Sequence, residues 1–196
     1  MADDFIFANG IAHLKGENAV LVSEWGRYRI VRLEHDARHV VTNRRVFFDN
    51  TPGYPDNITV SNDTVWVGLV IRRNPVVDRF RPYPILEGAL ARLPDSLIHF
   101  TRHAFVLGFD RQGKLKYNLQ DTTGQFNQAT GAYPFGSALY VTSNTDPNLA
   151  CLPVPGVSSA NDPCAPHPPS RPARSSEVKS AASTPAAAAV QESVAP

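Results

Sequence analysis

The chain has 196 residues, enough for one ordinary domain and little more. Nineteen Lys and Arg against 18 Asp and Glu leave a formal net charge of +1, which excludes a strong field for steering nucleic acid or an anionic membrane. The apolar runs fall far short of the roughly 20 residues of a membrane-spanning helix, and the first four residues carry two acids and no base, unlike a signal peptide.

From residue 1 to residue 150, short apolar runs rich in Val, Ile, Phe and Tyr alternate with turn residues. The punctuation reads, in chain order, Asn9-Gly10, Lys15 to Asn18, Asn50 to Gly53, Ser61-Asn62-Asp63 and Arg111-Gln112-Gly113. This is the signature of strands and tight turns rather than of helices. The segment compares well with itself. Asn9-Gly10-Ile11-Ala12 followed by Ala19 to Val22 lies over Asp56-Asn57-Ile58-Thr59 followed by Thr64 to Val67, and Ala138 to Thr142 supplies a third copy of the second element. The next element recurs as Tyr28 to Leu33 and Phe105 to Asp110, each leading into a further β run, Val40 to Phe48 and Lys114 to Leu119. A four-strand unit repeating about every 45 residues predicts an all-β fold of propeller blades, about three of them. An open stack of three leaves blade faces and strand edges uncovered, and so predicts self-association through them.

Between the strands, residues 74–93 break the pattern. Val76, Val77, Phe80, Ile85, Leu86, Leu90 and Leu93 fall at helical spacings interrupted by Pro82 and Pro84, so one or two short helices are expected there. Asn74 is placed to cap the first of them and Pro75 to occupy its first position.

Residues 151–196 differ in kind. Pro, Ala and Ser make up 27 of these 46 residues, and all 18 aromatic residues precede them. A segment without aromatics buries too little apolar surface to offset its ordering entropy, so residues 151–196 are expected to form a disordered tail after a folded part of residues 1–150. Both cysteines, Cys151 and Cys164, fall in that tail. A loop of that length can be closed by a disulfide, but the chain has no other mark of a disulfide scaffold. Two free surface thiols are expected.

Three stretches resemble the strictosidine synthase-like family: Phe7 to Ala12, Gly26 to Ile30, and Pro52-Gly53-Tyr54-Pro55-Asp56-Asn57-Ile58 with its helical insert after Arg73. Members are six-bladed propellers related to paraoxonases and gluconolactonases. The resemblance, from about Phe5 to about Tyr140, implies that the chain is the C-terminal half of such a wheel. It also implies a full-length parent of endomembrane or secretory location.

The resemblance further implies a chemistry. In paraoxonase-like relatives a calcium ion is held at the inner ends of the blades, and Asn9, Asp56 and Asn57 match three of its oxygen ligands. By spacing alone the same residues read sooner as turn formers than as ligands. A calcium ion would serve hydrolysis of a small ester or lactone, an arylesterase-type reaction. Three ligands are too few for a hard cation that takes six to eight oxygens, so calcium binding and activity are expected to be weak or absent. His103, before the Phe105 strand, matches a histidine that often opens this strand in relatives and is a candidate catalytic base, though most such histidines are structural. Amine–aldehyde condensation, the reaction of true strictosidine synthases, needs a Glu in the last blade; Thr122 to Thr145 contain no acid, and Gln125 near the expected place is no base. Asn57-Ile58-Thr59 and Asn62-Asp63-Thr64 are formal N-glycosylation sequons. Only Asn62 reads as accessible, and without a leader neither is expected to be used.

Overall fold

The alternating apolar runs become eleven strands among the residues described by the computed structural model, 3–80, 101–158 and 162–165. The first sheet takes β1 (Ala8–His13), β2 (Ala19–Glu24), β3 (Arg29–His35) and β4 (Val41–Phe48) in that order. The second takes β5 (Gly53–Ser61), β6 (Thr64–Arg72), β7 (Ala104–Phe109) and β8 (Leu115–Asp121). The third takes β9 (Ala129–Phe135), β10 (Ala138–Ser143) and β11 (Ala150–Pro153). Every pairing is antiparallel and joins strands adjacent in sequence. These are the blades expected from the repeat: a partial, three-bladed β-propeller.

The side-chain period of two decides which neighbour each blade meets. In β6, Val65 and Val67 face the first blade, where Leu14, Leu21 and Ile30 join Ile58, Phe105 and Phe109 in one core. Trp66, between those valines, faces the third blade and packs with Val106, Ala129, Leu139 and Val141 in another. Because it is covered on both sides, the middle blade has a nearly continuous apolar run in β6, Thr64 to Ile71, and in β7. The outer face of the first blade keeps a smaller cluster of Val22, Val31 and Leu33 beside Phe5 and Val41.

Three expectations need correction. Asn9-Gly10 is not a turn: both residues lie inside β1. The folded part does not stop at residue 150. β11 pairs Cys151 with Tyr140 and Leu152 with Leu139, and Leu152 and Val154 pack beside the second core. The average composition of residues 151–196 hid a short strand with two well-placed apolar side chains. Nor are the cysteines free: Cys151 and Cys164 form a disulfide, with Cα atoms 5.6 Å apart. Asp162 turns the chain back for this, its carboxylate accepting the Cys164 N–H at 2.9 Å. Of the predicted insert, Pro75–Phe80 is helical and begins at the expected proline; residues 81–93 lie outside the described residues, as do residues 166–196 of the expected tail.

Candidate functional site

The innermost strands β1, β5 and β9 share one irregularity. In β1 the register passes from Ala8 opposite Glu24 to Ile11 opposite Val22, three steps against two, leaving one extra residue at Asn9-Gly10. In β5 it passes from Pro55 opposite Leu69 to Ile58 opposite Val67, with the extra residue at Asp56-Asn57. In β9 it passes from Ala129 opposite Ser143 to Gly131 opposite Thr142, with Thr130 unpaired. A bulge bends its strand and re-aims a side chain, and bulges concentrate beside functional sites. Asn9, Asp56 and Thr130 therefore occupy equivalent places in three successive blades.

These bulges are where the blades touch. A Cβ on Gly10 would stand 2.4 Å from the Asp56 carbonyl oxygen, and one on Gly68 would stand 2.5 Å from the Thr130 carbonyl oxygen. Only glycine permits either approach. Ser23 ties the first contact: its Oγ accepts the Gly10 N–H at 2.7 Å and donates to the Asp56 carbonyl at 2.5 Å. Thr142 holds the position in β10 that Ser23 holds in β2, and its hydroxyl bonds that of Thr130 at 2.7 Å.

Asn9 and Asp56, predicted from different repeats, lie in adjoining bulges. Burial lifts the Asp56 carboxyl above the usual aspartate range, and a hydrogen bond from the Asn9 side chain opposes that lift. Asp56 is only 9% exposed while Asn9 is open to solvent, so the pair lies at a surface with the acid on its inner side. Asn57 is half-buried and faces β9, its Cβ 3.2 Å from where a Cβ on Gly131 would lie. The three predicted metal ligands thus gather on neighbouring inner strands. His103 lies elsewhere: it lines a cavity of about 160 Å³ with Arg72, Asn74, Asn127 and Gln128, whose walls include none of the three. Its ring packs against Phe105, with Nε2 3.1 Å from Gln120 Oε1.

Glu24, fully buried, was not singled out from sequence. Its carboxylate accepts the Ile6 N–H at 2.8 Å, Arg27 Nη1 at 2.7 Å and Arg29 Nε at 2.6 Å. Burial alone would raise its pKa; the Ile6 N–H and the two arginines outweigh burial and hold it below the usual glutamate range. The visible signal was an acid followed by arginines three and five positions later. So ringed, Glu24 anchors the segment ahead of β1. Beside it runs a row of rings, two of them just upstream of Asn9 and Asp56: Phe7 on Trp25 at 5.5 Å, Trp25 on Tyr54 at 4.8 Å, and Tyr54 on Tyr28 at 4.6 Å.

Asn9, Asp56 and Asn57 suit calcium in kind, since all offer hard oxygen donors with one negative charge. They are short of it in number, and among the described residues no three of His, Cys, Asp and Glu gather to hold a metal.

No protein-family model matches the chain. It is 30% identical over 161 residues to adipocyte plasma membrane-associated protein of Bos taurus, covering 78% of this chain and 39% of that one. The protein of the same name is 29% identical over 161 residues in Danio rerio and 28% identical over 166 residues in Homo sapiens. The chain spans about two fifths of the length of these relatives. Among solved structures it is similar to a luciferin-regenerating enzyme, at 20% identity and a TM-score of 0.47, over 71% of this chain and 38% of that one. Over most of its length the chain is therefore similar in sequence to part of the adipocyte plasma membrane-associated proteins, in keeping with the resemblance of its Pro52 to Ile58 stretch to the strictosidine synthase-like family.

Proposed function

We propose that the inner-strand bulges form part of a cation-dependent site for hydrolysis of small aryl esters or lactones, weak in this chain because its donor set is incomplete. The observation that carries this reading is the close approach of the β1 and β5 bulges, Gly10 against the Asp56 carbonyl with Ser23 bridging them. Asn9, Asp56 and Asn57 would hold the ion, calcium by donor type; when bound it would polarise an ester carbonyl and acidify a water. The chain's own residues set the rest. Asn9 favours the charged form of Asp56 against burial, and the Thr130 and Thr142 hydroxyls offer neutral hydrogen-bond partners in the third blade. The rings of Phe7, Trp25 and Tyr54 suit an aromatic substituent.

Condensation of an amine with an aldehyde is disfavoured, since Thr122 to Thr145 of the third blade contain no acid and Gln125 is no base. A non-catalytic, self-associating role is the second reading, favoured by Ile11, 67% exposed on β1, and Phe135, 80% exposed on β9. Phenyl acetate hydrolysis by the purified chain, with millimolar calcium and with chelator, separates the two. Slow turnover that chelator and Asp56→Asn both abolish supports the site; no turnover at any calcium concentration, with concentration-dependent mass by light scattering, supports the second. Calorimetry is expected to show no sub-micromolar calcium affinity.

A further inference from the structure

The two sequons have opposite fates in the fold. Asn57-Ile58-Thr59 lies in the β5 bulge, where Asn57 is half-buried against β9. A sugar there would have to pass between two blades. Asn62-Asp63-Thr64 lies at the β5–β6 hairpin, with Ser61 paired to Thr64 and only Asn62 and Asp63 in the loop. Both loop residues have positive φ, 46° and 57°, as a two-residue hairpin turn requires, and both are exposed. Asn and Asp are among the few side chains that adopt this conformation readily. Asn62 therefore stands at the tip of a loop with its amide toward solvent.

The second observation comes from another part of the molecule. The Cys151–Cys164 disulfide ties the segment after β11 back onto the third blade. Structural disulfides form and persist in oxidising compartments, the secretory lumen above all, and are rare in the cytosol. That lumen is also where sequons are modified.

We propose that Asn62 is an N-glycosylation site and that Asn57 is not. In the transfer, the Asn62 side-chain nitrogen bonds the anomeric carbon of a lipid-pyrophosphate-linked oligosaccharide. The carbon–oxygen bond to the lipid pyrophosphate breaks, the lipid pyrophosphate departs with the electron pair, and the amide gives up one proton. The Thr64 hydroxyl is buried in the finished fold, so transfer precedes closure of the hairpin; a glycan placed on Asn57 at that stage would keep β5 from packing on β9, and such a chain would not reach the disulfide-linked fold. Six strand steps separate Asn62 from Asp56, about 20 Å, so the glycan leaves the inner-strand bulges open. This inference does not depend on the proposed catalytic reading.

The test expresses the full chain behind a cleavable leader in a eukaryotic secretory host and examines total cell material as well as medium, so that sugar transfer is read whether or not the chain is exported. The expected result is one peptide-N-glycosidase-sensitive glycan, with Asn62 converted to Asp in the released peptide. Asn62→Gln abolishes it, Asn57→Gln leaves it in place, and peptides containing Cys151 and Cys164 are recovered linked. An unmodified Asn62 in translocated, disulfide-linked chain, or a glycan on Asn57 of such chain, overturns the proposal.

Discussion

Gly68→Ala tests how tightly the blades are locked at their inner strands. The new Cβ would lie 2.4 Å from the Thr130 carbonyl carbon, 2.5 Å from its oxygen and 2.6 Å from the Gly131 nitrogen. All three obstacles are backbone, so no rotamer relieves them, and β9 must retreat by about 1 Å to restore ordinary contact. Overpacking of this kind costs about 1–3 kcal/mol. The upper part applies here, less about 0.5–1 kcal/mol that alanine gains over glycine within a strand. The net loss is about 2 kcal/mol, a fall in Tm of about 4–8 °C for a domain of this size. Differential scanning calorimetry measures it, and hydrogen exchange should show faster opening in β9 and β10 than in β2 and β3. A variant as stable as the parent, or more stable, would refute the close approach of β6 to the Thr130 bulge.

Other perturbations follow from the buried acids and the disulfide. Asp56, raised by burial, binds its proton more strongly folded than unfolded. Its contribution to stability therefore falls as pH rises from the usual aspartate range through the folded value. Asp56→Asn should raise Tm at pH 7 and not at pH 3, and an equal change at both would contradict this. Glu24 has the opposite sign: its depressed pKa adds stability at neutral pH that is lost as pH falls through the folded value. Removing one partner of such a buried group is strongly destabilising, so Glu24→Ala should cost about 3–5 kcal/mol in urea unfolding, and a loss under about 1 kcal/mol would count against the arginine ring. Replacing Cys151 and Cys164 together by Ser should cost about 3 kcal/mol by the loop-closure model; no measurable loss would show that the crosslink does not tie down β11.

Much of this fold was legible in the residues because blade repeats carry the same apolar alternation three times. Ala19 to Val22, Thr64 to Val67 and Ala138 to Thr142 occupy β2, β6 and β10. Asn9 and Asp56 were legible as a pair for the same reason. Their setting was not. A bulge residue and a turn residue draw on the same amino acids, so Asn9-Gly10 looked like a loop until the register with β2 was known. Thr130 escaped notice because a threonine between alanine and glycine bears no charge and no turn signal; only its place in the β9 bulge relates it to Asp56. β11 was lost in the Pro-, Ala- and Ser-rich average of its surroundings, and with it the reason for pairing Cys151 with Cys164. Glu24 went unremarked because its partners are held near it by the turn at Trp25–Arg27 and by β3 and not by a motif.

The central claim is that inner strands of neighbouring blades bring Asn9 onto a buried Asp56. Carbon-detected NMR titration of the Asp56 carboxyl, in the parent chain and in Asn9→Ala, tests it most directly. The parent should titrate above the ordinary aspartate range, and loss of the Asn9 hydrogen bond should move the midpoint higher still. A midpoint in the ordinary range, or one indifferent to Asn9, would mean that the two side chains do not share a site.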